Sequence, residues 1–167
     1  MNPEAPLWIN ALHLQPHPEG GWYREIYRAA ETIPASALPP RFAGPRAFST
    51  SIYFLLQQGE YSALHRLAAD EGWHFLDGSP LTIHQIDPQG RYSTQTIGRD
   101  PTRGLLPCAV VPAGWLFGAT VESGWALVSC TVAPGFDFAD FSLPHLDELL
   151  VAYPQHQEIL RRLAHRP

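Results

Sequence analysis

The chain has 167 residues, 45% hydrophobic and 16% charged, with a formal net charge of −5 and no lysine. That length suits one domain over residues 1–167, large enough for a core without staples, and the acidic balance excludes the basic face that nucleic acid or an anionic membrane would require. No N-terminal stretch reads as a secretory signal, no apolar run approaches a membrane span, and Cys108 and Cys130 sit in apolar stretches as buried thiols, which together point to the cytoplasm.

Taken in order, Asn2, Pro3 and Glu4 read as N-cap, first-turn proline and first-turn acid of a short helix, with Leu7, Trp8, Ala11 and Leu12 on its apolar face. His17-Pro18-Glu19-Gly20-Gly21 is a turn. Trp22–Arg28 then reads as a strand, with Trp22, Arg24, Ile26 and Arg28 on one face and Tyr23, Glu25 and Tyr27 on the other. Five prolines and glycines between residues 34 and 46 predict a loop, placed to act as a lid or rim. From Phe48 the alternation predicts strands at Phe48–Gln57, Tyr61–Ala68, Glu71–Leu76, Leu81–Asp87, Arg91–Ile97, Pro107–Val111, Leu116–Val121 and Trp125–Val132. Short strands at about ten-residue spacing predict an all-β antiparallel barrel or sandwich. The tail differs, with helical spacing over Pro144–Tyr153 and Pro154–Ala164.

The chemistry-bearing stretch is Gly59–Gly78. On its first strand His65 and Leu67 share a face while Leu64 and Arg66 take the other, and on its second Glu71, Trp73 and Phe75 share a parity. The spacing G-x5-H-x-L-x3-E-x6-G, standing at Gly59, His65, Leu67, Glu71 and Gly78, resembles the first motif of the cupin superfamily. The second cupin motif is matched in weakened form by Pro112, Gly114 and Phe117, with Leu106 and Val121 at its outer positions. The stretches H-P-E-G-G-W-Y-R, S-I-Y-F-L-L, D-E-G-W-H-F and V-A-P-G-F-D-F look like a family of small uncharacterised cupins, a resemblance running from about Leu12 to Leu163. More distantly such cupins are similar to metal-independent epimerases of deoxythymidine-diphosphate ketosugars and to seed storage cupins. The resemblance implies a double-stranded β-helix, a jelly-roll barrel with a short N-terminal helix and C-terminal helices.

Metal cupins use three histidines and one glutamate, and here two of those positions are Leu67 and Phe117. The remaining His65 and Glu71 are too few for a stable transition-metal site, so no cofactor is expected. The alternative is a metal-dependent oxygenase using His65, Glu71 and His74, which needs a bulge to turn His74 inward. His65 and Glu71 are therefore candidate catalytic residues, the imidazole as base and the carboxylate as its orienting partner. A core histidine bonded to Glu71 and doing no chemistry is the competing reading of the same pair.

Trp73, Phe75, Trp115, Phe117 and Tyr53 are candidate substrate contacts for a planar or sugar-like ligand, the first four reading equally as plain core side chains. Arg24 and Arg28 read as a solvated face or an anion clamp. The other histidines, His17 included, show no ligand spacing and carry no assigned role. Three functions follow. The first is metal-independent, epimerase-like chemistry on a sugar-like or small carbonyl substrate; the others are the oxygenase and a ligand-binding or storage protein. The aromatic strand Trp22–Arg28 also predicts a homodimer.

Overall fold

The computed structural model describes residues 4–165, so the expected cap at Asn2 and Pro3 lies outside the described residues. Helix α1 (Glu4–Ala11) leads into β1 (Gln15–Pro16), β2 (Trp22–Arg28), β3 (Thr32–Ile33), β4 (Arg46–Ala47), β5 (Thr50–Gln57) and β6 (Tyr61–Leu67). There follow β7 (Asp70–Gly78), β8 (Leu81–Ile86), β9 (Tyr92–Ile97), β10 (Cys108–Val111), β11 (Leu116–Val121), β12 (Trp125–Ala133) and β13 (Phe141–Ser142). Helices α2 (Leu146–Ala152) and α3 (Gln157–Leu163) end the chain. The strands expected from the alternation are all present, with ends shifted by one or two residues, because period-2 burial identifies a strand better than its fraying ends.

The strands form a six-stranded sheet, β1-β2-β5-β12-β7-β10, a five-stranded sheet, β13-β6-β11-β8-β9, and a small β3-β4 ribbon. Every pairing within them is antiparallel. Alternation along the strands divides the apolar side chains among three clusters. The main one lies between the sheets and includes Phe54, Trp73, Ile83, Phe117 and Val128. A second packs Leu64, Ile86 and Leu116 on the outer face of the smaller sheet against Leu149, Leu160 and Leu163 of α2 and α3. The third packs Leu55, Leu127 and Trp125 on the outer face of the larger sheet beneath Ala5 of α1. Among the described residues no helix is long and apolar enough to cross a membrane.

Two expectations change. The 34–46 segment does not contribute to the interior cavity described below. It is held down by Phe42, buried in the main core, and by the buried Arg46–Asp140 pair, both contacts at 2.6 Å. Strand β2 also departs from simple alternation. Its register against β5 slips between Glu25 and Tyr27, so Glu25 faces Ile52, Tyr27 faces Ser51 and Arg28 faces Thr50. The extra residue, Ile26, brings Arg28 to the same side as Tyr23 and Glu25.

The turn at residues 17–21 is fastened to β6. The Glu19 carbonyl accepts from the Ala63 N–H at 2.7 Å, and the His17 N–H donates to the Gly21 carbonyl at 2.9 Å. Gly20 sits at φ +102°, and a Cβ there would collide with the Tyr61 carbonyl oxygen. Gly20→Ala is therefore expected to lose about 1–3 kcal/mol, from the left-handed backbone plus the collision. Gly104→Ala, at φ +74° with open space around it, isolates the backbone cost of about 1 kcal/mol. Urea denaturation of both variants checks this, and equal losses would show that the Tyr61 contact carries no weight.

Candidate functional site

Between the two sheets lies a cavity of about 290 Å³. His65 and Leu67 of β6, Glu71 and Trp73 of β7, Ile52 and Phe54 of β5, and Cys130 and Val132 of β12 form its floor and walls. Each pair is two apart on its strand, so alternation alone aims both members inward. His17 and Glu19 close one side from the turn, Tyr23, Glu25 and Arg28 of β2 line another, and Phe136, Phe138 and Phe141 make an aromatic wall. Those three rings pack edge to face, with centroids 5.0–6.1 Å apart. The buried Arg46–Asp140 pair anchors their segment. Removing one partner would strand a buried charge, at a cost of about 3–5 kcal/mol.

His65 is 2% exposed. Its Nδ1 lies 2.7 Å from the Ala63 carbonyl oxygen, which can only accept, so Nδ1 carries the hydrogen and Nε2 the lone pair. Among the described residues no sealed side-chain polar atom lacks a partner, and Nε2 bonds to no protein group; it therefore opens on the cavity. The same Nδ1 lies 3.3 Å from Oε2 of Glu19, whose other oxygen accepts from the Ser62 hydroxyl at 2.8 Å. His17 is the complementary tautomer. Its Nδ1 accepts from the Glu19 N–H at 3.2 Å, leaving Nε2–H as a donor.

The orienting partner of His65 is thus Glu19 and the Ala63 carbonyl, not Glu71 as the spacing suggested. Glu71 instead accepts from the Trp73 indole N–H at 3.0 Å through Oε2, and its Oε1 is left for the cavity. Burial, reinforced by the Glu19 charge, pushes the Glu71 carboxyl well above the usual range, against the indole hydrogen bond. Burial raises Glu19 too, against His17 and the Ser62 hydroxyl. The imidazoles move the other way. Burial lowers His65 to about 4, despite its bond to Ala63, and lowers His17 despite the nearby Glu19. At neutral pH the contact between His65 and Glu19 is accordingly not an ion pair, and the Nδ1–H hydrogen bond goes to the Ala63 carbonyl.

The other expected contacts fall elsewhere. Tyr53 lies on the outer face of its strand, beside Trp8, Leu12 and Leu127, because its neighbours Ile52 and Phe54 take the inward positions. Phe117 lies against the imidazole of His65, with centroids 4.1 Å apart and the rings tilted by 57°, and Phe75 and Trp115 pack into or against the main core without lining the cavity. His74 faces away and meets the Thr131 hydroxyl at 3.0 Å. The bulge that would have turned it inward occurs one turn of the pleat later, between the Asp77 and Phe75 pairings, and leaves His74 in ordinary register. His17 and Glu19 were missed. The signal was available, since an acid and a histidine in a glycine-rich turn joining two elements are placed for function more than for packing.

Residues 7–144 match the family described as Cupin superfamily (DUF985). The chain belongs to this family. A solved structure of protein SO0799 from Shewanella oneidensis is 40% identical, with a TM-score of 0.88, covering 100% of this chain and 99% of that one. A hypothetical protein from Leishmania major is 37% identical, also at a TM-score of 0.88, over 97% and 99% of the two chains. The uncharacterized protein YML079W of Saccharomyces cerevisiae is 29% identical over 154 residues, 84% of this chain and 76% of its own.

As a cupin the chain departs from the metal-binding pattern in its donor set. Leu67 occupies the cavity wall where a second histidine would stand, and Phe117 takes the third histidine's place. Among the described residues no group of three or more His, Cys, Asp or Glu side chains could hold a metal ion. The residues present do not fit a cupin metal centre.

The shifted groups predict a pH dependence. Between pH 6.5 and 4 the unfolded chain protonates residue 65 and the folded chain does not. The stability this contributes is full above pH 6.5 and is lost as pH falls to 4. Glu19 and Glu71 have the opposite sign, their contributions fading as pH rises through their elevated folded values. Comparison with His65→Gln isolates the imidazole. The stability gap between parent and variant should narrow by about 3 kcal/mol between pH 6.5 and 4. Urea melts across that range measure it, and a constant gap would refute the assigned charge state.

Proposed function

We propose that this cupin binds a small molecule in the cavity and performs metal-independent acid–base chemistry on a sugar-like or small carbonyl substrate. The observation that carries the reading is the fixed tautomer of His65. Its Nδ1–H is held by the Ala63 carbonyl and faces Glu19, so the lone pair on Nε2 is delivered to the cavity. Nε2 removes a proton from the carbon beside the substrate carbonyl. As the ring becomes cationic, the Glu19 carboxylate 3.3 Å from Nδ1 stabilises it. Glu71, kept protonated by burial, donates a hydrogen bond to the carbonyl oxygen as negative charge builds there. A proton delivered by water to the opposite face of that carbon, His65 releasing its own to solvent, gives epimerisation, whereas return of the His65 proton to the neighbouring carbon, with a proton passing between the two oxygens, gives isomerisation.

The test is exchange of an acidic C–H with deuterated solvent, screened over ketosugars and small ketones. His65→Asn and Glu71→Gln should stay folded, retain ligand binding and slow the exchange by about 10²–10⁴-fold. A parent protein that binds a ligand from the panel yet exchanges nothing would replace this reading with that of a binding protein.

We also propose a homodimer formed along β2. Strand β1 pairs only with Trp22 and Tyr23, and among the described residues no other strand covers that edge of Arg24–Arg28, where Ile26 and Tyr27 are exposed. Light scattering at micromolar concentration should give twice the chain mass, and a monomeric mass would discard the dimer.

A further inference from the structure

Among the described residues lining the cavity, Arg28 is the single arginine, and there is no lysine anywhere in the chain. Three of the five Arg28 N–H donors are already engaged. Its Nε and one terminal nitrogen donate to the two carboxylate oxygens of Glu25, at 3.0 and 2.7 Å, and its other terminal nitrogen donates to the Phe136 carbonyl at 3.1 Å. The fork geometry that would grip a phosphate or carboxylate is therefore already occupied by one. The remaining carboxyl groups at the site are Glu19, Glu71 and Asp137, with His17 and His65 pushed toward the neutral form by burial. An anionic ligand entering this space would meet carboxyl groups and find no free cation.

Size points the same way. At about 290 Å³ the cavity lies at the small end of ligand pockets, suited to a small compound more than to a nucleotide-linked sugar. The apolar wall of Phe136, Phe138 and Phe141 would cover one edge of such a compound, while His65 Nε2 and Glu71 Oε1 meet its polar end.

We propose that the substrate is an uncharged carbonyl compound carrying no phosphate or carboxylate, and that Glu25 sets this specificity by closing Arg28 to anions. The proposal rests on the reading of the cavity as a carbonyl site. Glu25 touches no reacting atom in that scheme. Its side chain is 41% exposed at the rim, so replacing it leaves the core and the His65–Glu19 contacts in place.

The experiment uses two ketones that differ at one end, 4-phenyl-2-butanone and 2-oxo-4-phenylbutanoate, in which a carboxylate replaces the terminal methyl. Calorimetric titration of the parent protein should show the neutral ketone binding at least about tenfold tighter. In Glu25→Gln, Arg28 is released and one negative charge removed, so the keto acid should gain about three- to tenfold while the neutral ketone is unchanged. Adding Arg28→Gln to that variant should abolish the gain, showing that it passes through the guanidinium. Equal or tighter binding of the keto acid by the parent would overturn the substrate class. A gain absent from Glu25→Gln, or one surviving the loss of Arg28, would overturn the role of Glu25. In either of those cases the cavity would still stand as a carbonyl site. Binding of neither ketone at millimolar concentration would remove that reading too, and this inference with it.

Discussion

The site depends on how Glu19 is held. Its carbonyl accepts from the Ala63 N–H, its side chain accepts from the Ser62 hydroxyl, and its second carboxylate oxygen sits against Nδ1 of His65. These three contacts fasten a five-residue turn to the middle of a strand 43 positions away. They also set a carboxyl beside the base, whose tautomer the Ala63 carbonyl fixes, and seal one side of the cavity. Gly20 and Gly21 make the approach possible, since a Cβ at either would strike the neighbouring strands.

Burial does the rest of the chemistry. The same apolar surroundings push the two carboxyls and the two imidazoles in opposite directions, each toward its uncharged form. A neutral acid facing a neutral base is the arrangement that proton transfer to and from carbon requires. It also spares the fold the cost of unpaired charges between two sheets, which would run to several kcal/mol each.

The strands and the inward aim of His65, Leu67, Glu71 and Trp73 were legible in the sequence, because period-2 alternation in a two-layer β fold leaves little choice of face. Three things were not. The pairing of His65 with Glu19 joins residues distant along the chain through a turn, and no periodicity encodes such a contact. Phe117 and Phe75 share the inward parity yet stop short of the cavity, since parity gives a face and says nothing of depth within it. Tyr53 takes the outer face because Ile52 and Phe54 on either side of it take the inward positions, a register that its residue type does not reveal.

The slip in β2 has a further bearing on the rim. In an unbroken strand, residues three apart point to opposite faces, so Glu25 and Arg28 could not meet; their spacing is one that ordinarily closes on a helix. The single extra residue at Ile26 lets a helix-like ion pair form on a strand, and it exchanges a tyrosine for an arginine at the cavity wall. The polarity of the opening is therefore written in backbone register as much as in side-chain identity. A relative could keep every residue of Trp22–Arg28 and still present a different mouth, simply by losing the bulge.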